Sequence, residues 1–141
     1  MTDSKVFIDT SPFIYILEDN VMYSDIFRNI ISKYYTNNIP LYTSLLTLSE
    51  YCVVPYRKND SKKIDDFEEF IADADIIVVR LTKQIAKYAA WLRSKYQGIK
   101  ALDALQLASA IQNDCNIFLT NDKQLRQVQE IQAITADKII N

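Results

Sequence analysis

The amino-acid sequence predicts an α/β protein, a three-layer α/β/α sandwich built around a mainly parallel central sheet. Two observations carry this prediction. Short apolar runs alternate along the chain with longer segments of helical periodicity, and helix start and stop signals separate the two kinds of segment. Parallel sheets are covered by helices on both faces, so their strands are short and apolar throughout. The length of 141 residues suits one domain, and we predict a single domain over residues 1–141.

Four short runs of aliphatic and aromatic residues predict strands, because such side chains fit a sheet that is buried on both faces. In chain order these runs are residues 5–8, 41–43, 76–79 and 116–120. The third run, IIVV, is the clearest of them. Ala133 and Ile134 are predicted to add an edge strand near the end of the chain.

Segments with apolar residues three and four positions apart predict helices between these strands. They cover residues 11–17, 21–35, 44–54, 82–96, 102–113 and 122–131, and one more begins at residue 61. Ser11 and Ser61 are predicted as N-caps. Pro55 is expected to end the third helix, and Gly98 is a typical stop signal after a long amphipathic helix.

Two absences narrow the chemistry of which the chain is capable. It contains no histidine and only one glycine. Without histidine, Ser-His-Asp triads, histidine acid–base catalysis and zinc–histidine sites are excluded. Without a glycine-rich loop, neither a dinucleotide fingerprint nor a P-loop is available. Carboxylates, hydroxyls and basic side chains remain for catalysis.

Composition also predicts where the protein works. Hydrophobic residues make up 49% of the chain and charged residues 24%, as in soluble globular domains. No apolar run approaches the ~20 residues of a membrane span and no signal peptide is recognisable, so we expect a cytoplasmic protein. Cys52 and Cys115 are expected to be reduced core residues. The net charge of -2 argues against a basic nucleic-acid-binding surface, although bound divalent cations reverse the sign of an acidic cleft.

Four carboxylates follow or interrupt stretches that should be buried. Asp9 ends the run VFID, Glu50 lies in TLSEY, Asp103 opens DALQLASAI and Asp122 follows IFLTN. A buried acid needs a helix N-terminus or a cation as its partner. Ligand sites of parallel sheets lie outside the carboxyl ends of the strands, so the predicted fold allows the four acids to share one edge. If they meet there, together they predict a site that binds a hard divalent cation and cuts phosphodiesters.

Each acid also has a structural interpretation. Asp103 and Gln106 fit a capping box, and Asp122 fits a turn that caps the last helix. Glu50 shares its helix face with apolar residues, so a buried ion pair with a lysine is the alternative to a metal there. The structural interpretation is weakest for Asp9, because the serine two residues later already supplies the predicted cap.

Four motifs carry most of this pattern: IDTSPFIY, TLSEYCVVPYR, GIKALDALQLASAI and IFLTNDKQL. They extend from Val6 to about Leu125, and DALQLASAI followed by FLTND is their most specific part. In order and spacing they resemble the PIN-domain ribonucleases. The likeness is greatest to the VapC-like toxins of type II toxin–antitoxin pairs.

This resemblance implies a metal-dependent endoribonuclease. It assigns the family's acidic, metal-binding positions, for Mg²⁺ or Mn²⁺, to Asp9, Glu50, Asp103 and Asp122. It assigns supporting hydroxyl and basic positions to Thr10, Ser11, Thr120 and Lys100. It further implies an RNA substrate, a sheet with the first strand at its centre, a homodimer, and an antitoxin that wraps a hydrophobic groove near the site.

The chemistry of such a cluster follows from its charge. Two unit charges ~4 Å apart repel by about 4 kcal/mol at an effective dielectric of 20, so the metal-free cluster is expected to keep one or two protons. We expect Asp9 and Asp103 to hold the main ion and Asp122 and Glu50 to complete the site. Glu50 or Asp122 would accept the proton of the attacking water, and the products would be a 5′-phosphate and a 3′-hydroxyl.

Two other functions stay open at the level of the sequence. A haloacid-dehalogenase-like phosphohydrolase also carries an aspartate after its first strand, but such an enzyme needs a second acid two residues on, where this chain has Ser11. A PIN-like module that binds RNA or a partner protein without cutting is the non-enzymatic alternative. The four intact acids argue against that module.

Overall fold

One sheet organises the protein, which the computed structural model describes for residues 4–139. Its strands are β1 (Val6–Ile8), β2 (Leu41–Ser44), β3 (Ile77–Val79), β4 (Ile117–Leu119) and β5 (Gln132–Ile134). They lie in the order β3-β2-β1-β4-β5, and every neighbouring pair is parallel. The predicted parallel α/β architecture is confirmed, with the first strand at the centre of the sheet.

Helices cover both faces of this sheet. Within the described residues they are α1 (Thr10–Leu17), α2 (Ser24–Thr36), α3 (Leu45–Arg57), α4 (Ser61–Asp73), α5 (Lys83–Lys95), α6 (Ala101–Gln112), a 3₁₀ helix (Lys123–Gln127) and α7 (Ala136–Ile139). The core on one face is closed by α5 and α6. The core on the other face is closed chiefly by α1, α2, α3 and α4.

Successive residues of β1 point into different cores, as strand geometry requires. Phe7 packs on the side of α5 and α6, and its ring stacks on that of Phe118 with centroids 5.4 Å apart. Val6 and Ile8 pack on the opposite side against Phe13. All three β1 residues are fully buried, which is why this strand is apolar throughout and not alternating.

The predicted cap at Ser11 is wrong. The first helix begins one residue earlier, at Thr10, and the residue that precedes it is Asp9, whose side chain makes no capping hydrogen bond. The Ser11 hydroxyl instead accepts a hydrogen bond from the backbone N–H of Asn121, at 3.1 Å. The strand turns directly into the helix, so Ser11 is free to connect α1 to the chain beyond β4.

Two other predicted helix ends also shift. Pro55 does not end α3, which continues to Arg57. A proline there removes one backbone donor close to the end of the helix, and its buried ring packs in the core. Ser61 is not an N-cap but the first residue of α4, which follows Asp60. Each of these errors amounts to one turn or less.

The helix predicted over residues 122–131 is also wrong. Only Lys123–Gln127 is helical, as one short 3₁₀ segment, and the chain then enters β5, the predicted edge strand. Three buried side chains, Leu125, Val128 and Ile131, recur every three residues and reach the same core from an irregular segment. That spacing resembles helical periodicity in the sequence. The short α7 was not predicted.

Two further expectations concern the chain as a whole. Cys52 and Cys115 are buried and free, as expected. Within residues 4–139, no helix has both the length and the apolar character that crossing a bilayer requires. Residues 1–3, 140 and 141, which the predicted domain includes, lie outside the described residues.

Replacing Phe118 with alanine should lower the free energy of unfolding by about 3–5 kcal/mol, because the fully buried ring leaves a cavity beside Phe7. Urea unfolding followed by circular dichroism measures the change. Tyr35→Ala, at a site that is 47% exposed on α2, is the matched control and should change the stability by roughly 0.5 kcal/mol or less. Equal losses in both variants would contradict the assignment of the core.

Candidate functional site

The four predicted carboxylates line one depression at the carboxyl end of the sheet. Its volume is about 490 Å³, and its walls are Asp9, Thr10, Ser11, Ile14, Tyr15, Glu50, Asp103, Asn121 and Asp122. The depression lies beyond the carboxyl end of β1, at the point between β1 and β4 where the strand order changes direction. Open parallel sheets bind ligands at this kind of switch point. The fold thus brings together acids from four separate segments.

Asp9 is the most deeply buried of the four acids, with 8% of its surface exposed. Its backbone N–H donates to the carbonyl oxygen of Leu119 at 2.9 Å, which continues the pairing of β1 with β4. Its carboxylate accepts a hydrogen bond from the hydroxyl of Thr120 at 2.8 Å and a longer one from Nε2 of Gln106 at 3.5 Å. Sheet pairing therefore sets the position of the carboxylate.

Burial raises the pKa of Asp9 from 3.8 to about 6. Hydrogen bonds from the side chain of Thr120 and the backbone of Thr10 favour the ionised form and limit the rise. The negative charges of Asp103 and Glu50 add to it. Desolvation is thus the main cause of the raised pKa of Asp9, and repulsion between the acids, on which the predicted proton rested, is a smaller one.

Asp103 lies in the first turn of α6, where the N-cap residue is Lys100. The predicted capping box of Asp103 and Gln106 is therefore wrong, because the helix starts two residues before Asp103. Burial raises the pKa of Asp103, the charges of Asp122 and Glu50 raise it further, and the charge of Lys100 lowers it. Lys100 thus lies close enough to act on the site while its side chain remains exposed.

Glu50 is half-buried on α3 and accepts a hydrogen bond from the hydroxyl of Thr10 at 2.5 Å. The alternative of a buried ion pair is not observed. Within residues 4–139, no Lys or Arg nitrogen lies within 4.0 Å of Glu50 or of the other three acids. The charged groups that share the depression with Glu50 are other carboxylates.

Asp122 has the structural role that its turn predicted. Its Oδ1 accepts from the backbone N–H of Gln124 at 3.0 Å and caps the 3₁₀ helix. Its own N–H donates to the hydroxyl of Thr120 at 3.2 Å. The same carboxylate lines the depression, so capping and a place in the site are compatible here.

Gln106 is a site residue to which the sequence pattern assigned the wrong role. It is 1% exposed, and its Nε2 donates to the hydroxyl of Thr47 at 2.7 Å as well as to Asp9. Its Oε1 accepts from the hydroxyl of Ser44 at the end of β2. A glutamine among the buried residues of DALQLASAI is the signal that reveals it, because a buried amide needs partners.

Asn121 is a second residue that the sequence pattern did not place in the site. Its backbone N–H donates to Ser11, its Oδ1 accepts from the N–H of Ala136 at 3.2 Å, and its Nδ2 donates to the hydroxyl of Tyr15 at 3.4 Å. These bonds join the end of β4 to α1 and to α7. Asn121 thereby fixes part of the wall of the depression.

The donor set suits a hard divalent cation. The side chains that meet in the depression offer carboxylate, hydroxyl and amide oxygens, which Mg²⁺ and Mn²⁺ prefer. Within residues 4–139, no three Asp, Glu or Cys side chains are already placed to enclose an ion by themselves. Mg²⁺ commonly takes one or two carboxylates and completes its shell with water and phosphate, so a site of this spacing fits it.

Comparison with known proteins gives a consistent fold. The family model described as PIN domain matches residues 6–131. Rickettsia felis VapBC2, bound to a DNA fragment from its promoter, has a TM-score of 0.78 at 15% identity over 92% of this chain and 97% of that one. A toxin–antitoxin complex from Klebsiella pneumoniae has a TM-score of 0.70 at 19% identity, over 94% and 98%.

A third similar structure is the Sarcin-Ricin loop cleaving toxin VapC20 of Mycobacterium tuberculosis. Its TM-score is 0.64 at 13% identity, with 81% of this chain and 87% of that chain covered. Identities this low show a shared fold. No curated protein sequence matches the chain.

With a chelator present, the stability of the wild type should fall relative to that of Asp9→Asn as the pH rises from about 4 to about 6. The folded state binds the Asp9 proton more tightly than the unfolded chain, with a pKa of about 6 against 3.8, so ionisation costs the folded state about 3 kcal/mol. Urea unfolding of both proteins across this range measures the difference. A difference that does not change with pH would contradict the burial of a titrating Asp9.

Replacing Gln106 with leucine should lower the free energy of unfolding by roughly 2 kcal/mol, because Asp9, Thr47 and Ser44 lose a buried partner. Gln112→Leu, at an exposed position on the same helix, is the matched control and should change it by roughly 0.5 kcal/mol or less. Thermal and urea unfolding report both values. A neutral Gln106→Leu would mean that the network contributes nothing to folding.

Proposed function

The chain belongs to the PIN-domain family, and on this premise we propose that it is a Mg²⁺- or Mn²⁺-dependent endoribonuclease, the toxin of a toxin–antitoxin pair. The observation that carries the proposal is the convergence of Asp9, Glu50, Asp103 and Asp122 on one depression. Within the described residues these acids have no cationic side chain as a partner, and a divalent ion is the partner that such a cluster lacks.

Asp9 and Asp103 are assigned to the main ion, and Asp122 and Glu50 complete its surroundings. Burial raises the pKa of Asp9 and of Asp103, so both carboxyls gain when a cation takes the place of a proton. A bound Mg²⁺ or Mn²⁺ supplies Lewis acidity and neutralises charge on a scissile phosphate.

The protein's own side chains orient the acids and move the proton. Thr120 and Gln106 hold the Asp9 carboxylate through hydrogen bonds, and Thr10 holds that of Glu50. Glu50 or Asp122 accepts the proton of the water that attacks the phosphorus. The water oxygen bonds to phosphorus as the P–O3′ bond breaks and O3′ leaves, taking up a proton, so the products are a 5′-phosphate and a 3′-hydroxyl; the 2′-hydroxyl of the RNA takes no part.

The proposal also covers the toxin role, the partners and the location of the protein. Support comes from the likeness to the Klebsiella pneumoniae toxin–antitoxin complex and to the VapC20 toxin of Mycobacterium tuberculosis. We assign to this chain one nuclease domain over residues 1–141, a homodimeric state, a cognate antitoxin and action in the cytoplasm, where RNA is the substrate.

Asp103→Asn should reduce metal-dependent cleavage of a mixed single-stranded RNA pool by about 100-fold or more, because it removes a charged ligand of the main ion. Cleavage is followed by gel electrophoresis in Mg²⁺ and in Mn²⁺. Asp25→Asn is the matched control: Asp25 also lies in the first turn of a helix, is exposed on α2, and should leave the rate unchanged.

The ends of the products test the chemistry separately from the residue. A ligation assay that requires a 5′-phosphate should succeed on the fragments. Fragments that end in a 2′,3′-cyclic phosphate would overturn the mechanism. Equal cutting by wild type and Asp103→Asn would point to a contaminating nuclease, and an Asp103→Asn protein that keeps every cellular effect would favour the non-catalytic module.

A further inference from the structure

The positive charge of this acidic protein is concentrated in one stretch. Residues 76–102 contain no Asp or Glu and six of the 16 Lys and Arg: Arg80, Lys83, Lys87, Arg93, Lys95 and Lys100. The rest of the chain carries the other ten bases and all 18 acids. All six side chains are exposed. A protein with a net charge of -2 therefore presents one strongly basic segment, most of it on α5.

The charge of this segment is mostly not neutralised. Within residues 4–139, Lys95 is the only one of the six with a carboxylate within 4.0 Å, that of Glu130 at 2.6 Å. A second basic pair lies at the start of α4, and its charge has acidic neighbours: Lys62 pairs with Asp66, and Lys63 lies 4.0 Å from Glu18. The exposed cations of α5 are therefore more available to an anionic partner than Lys62 and Lys63 are.

An aromatic platform lies among these cations. Trp91, the single tryptophan of the chain, is 45% exposed, and its ring centroid is 5.3 Å from that of Tyr88. The Lys95 ammonium lies 5.2 Å from the Trp91 ring and 5.3 Å from that of Tyr96. Lys95 and the hydroxyl of Tyr96 are both anchored on Glu130, each at 2.6 Å. The indole is therefore held in place while much of its surface faces solvent.

The platform adjoins the segment that leads to the acidic site. Arg93 donates from Nε to the carbonyl oxygen of Ile99 at 3.3 Å. The next residue, Lys100, is the N-cap of α6, whose first turn carries Asp103. Trp91 and Arg93 both lie in the last turns of α5, so the end of the helix that carries the indole is joined through Ile99 and Lys100 to the helix that carries Asp103.

We infer that the exposed stripe of α5 formed by Lys83, Lys87 and Trp91 binds the single-stranded RNA that the acidic site cuts. The inference rests on the proposed ribonuclease function and names the surface that holds its substrate. Trp91 stacks on a base, Lys83 and Lys87 contact phosphates, and Lys95 positions the indole. Aromatic side chains on a basic surface bind single strands with little sequence preference, because every base has a π face.

A nucleic acid fits this face better than an acidic protein does. Lys87, Trp91 and Lys95 are four residues apart, so cations and the indole alternate along one stripe of the helix. The phosphates and bases of a single strand alternate in the same way, whereas a protein partner would cover the indole with apolar side chains. The face also leads to a depression that is proposed to cut phosphodiesters.

Trp91 is its own reporter, since the chain has no other tryptophan. Wild-type protein in EDTA, which prevents cleavage, is titrated with a single-stranded RNA of mixed sequence while tryptophan fluorescence is followed. Stacking should quench the emission in a saturable manner. Unchanged emission alongside RNA binding, measured by anisotropy of a labelled strand, would overturn the inference.

Two variants separate stacking from charge. Trp91→Ala should weaken RNA binding roughly tenfold. Lys83→Gln with Lys87→Gln should lower the slope of log K against log salt by about 0.7 for each phosphate that these side chains neutralise in the wild type. The control removes two exposed lysines elsewhere, Lys33→Gln with Lys58→Gln, and should change neither quantity. Equal effects from the control pair would mean diffuse attraction and would overturn the assignment to α5.

The cleavage assay distinguishes a failure of the inference from a failure of the proposed function. In Mg²⁺, the Lys83→Gln, Lys87→Gln protein should lose more of its cleavage rate on long RNA than on a dinucleotide, which is too short to reach α5. Equal losses on both substrates would overturn the inference. Quenching without cleavage of either substrate would support the RNA-binding face and contradict the proposed nuclease function. Emission that changes with protein concentration or with an acidic polypeptide, and not with RNA, would assign the face to a second copy or to a protein partner and overturn the inference.

Discussion

The arrangement of this protein depends on one buried carboxyl, that of Asp9, at the end of the central strand. Strand β1 ends between two parallel neighbours, and Thr120 beyond β4 and Gln106 on α6 donate hydrogen bonds to the carboxylate. A buried acid with neutral donors alone is unfavourable, so its partners must be held closely. The pairing of β1 with β4 and the packing of α6 on the sheet provide that hold.

Burial of Asp9 lowers the stability of the metal-free protein and would favour the binding of a cation. Burial raises the pKa of Asp9 and of Asp103, and each carboxylate in the depression makes ionisation of the others less favourable. What weakens the metal-free fold is therefore what would attract a divalent cation. The fold tolerates this cost because Phe7 and Ile8, directly before Asp9, are fully buried in two separate apolar cores.

The positions of the charges in this protein are more informative than its net charge. The net charge of -2 argued against a basic nucleic-acid surface, yet the average conceals an acidic depression and a basic helix that succeed one another along the chain. Lys100 stands at their junction, three residues before Asp103. The proposed cation site and the proposed RNA-binding face need opposite charges, and separate secondary structure elements carry them.

By itself the sequence predicted the mainly parallel sheet and singled out the four acids, because apolar runs and helical periodicity are local properties, and the resemblance to the PIN domains implied the central first strand. Tertiary structure decided what depends on register or on distant partners. Asp103 is no cap because α6 begins two residues earlier, and residues 122–131 follow the core and not a helix. The partners of Gln106 lie 59 and 97 residues away, at Thr47 and Asp9, and a distance of that kind along the chain becomes a contact only when the sheet has formed.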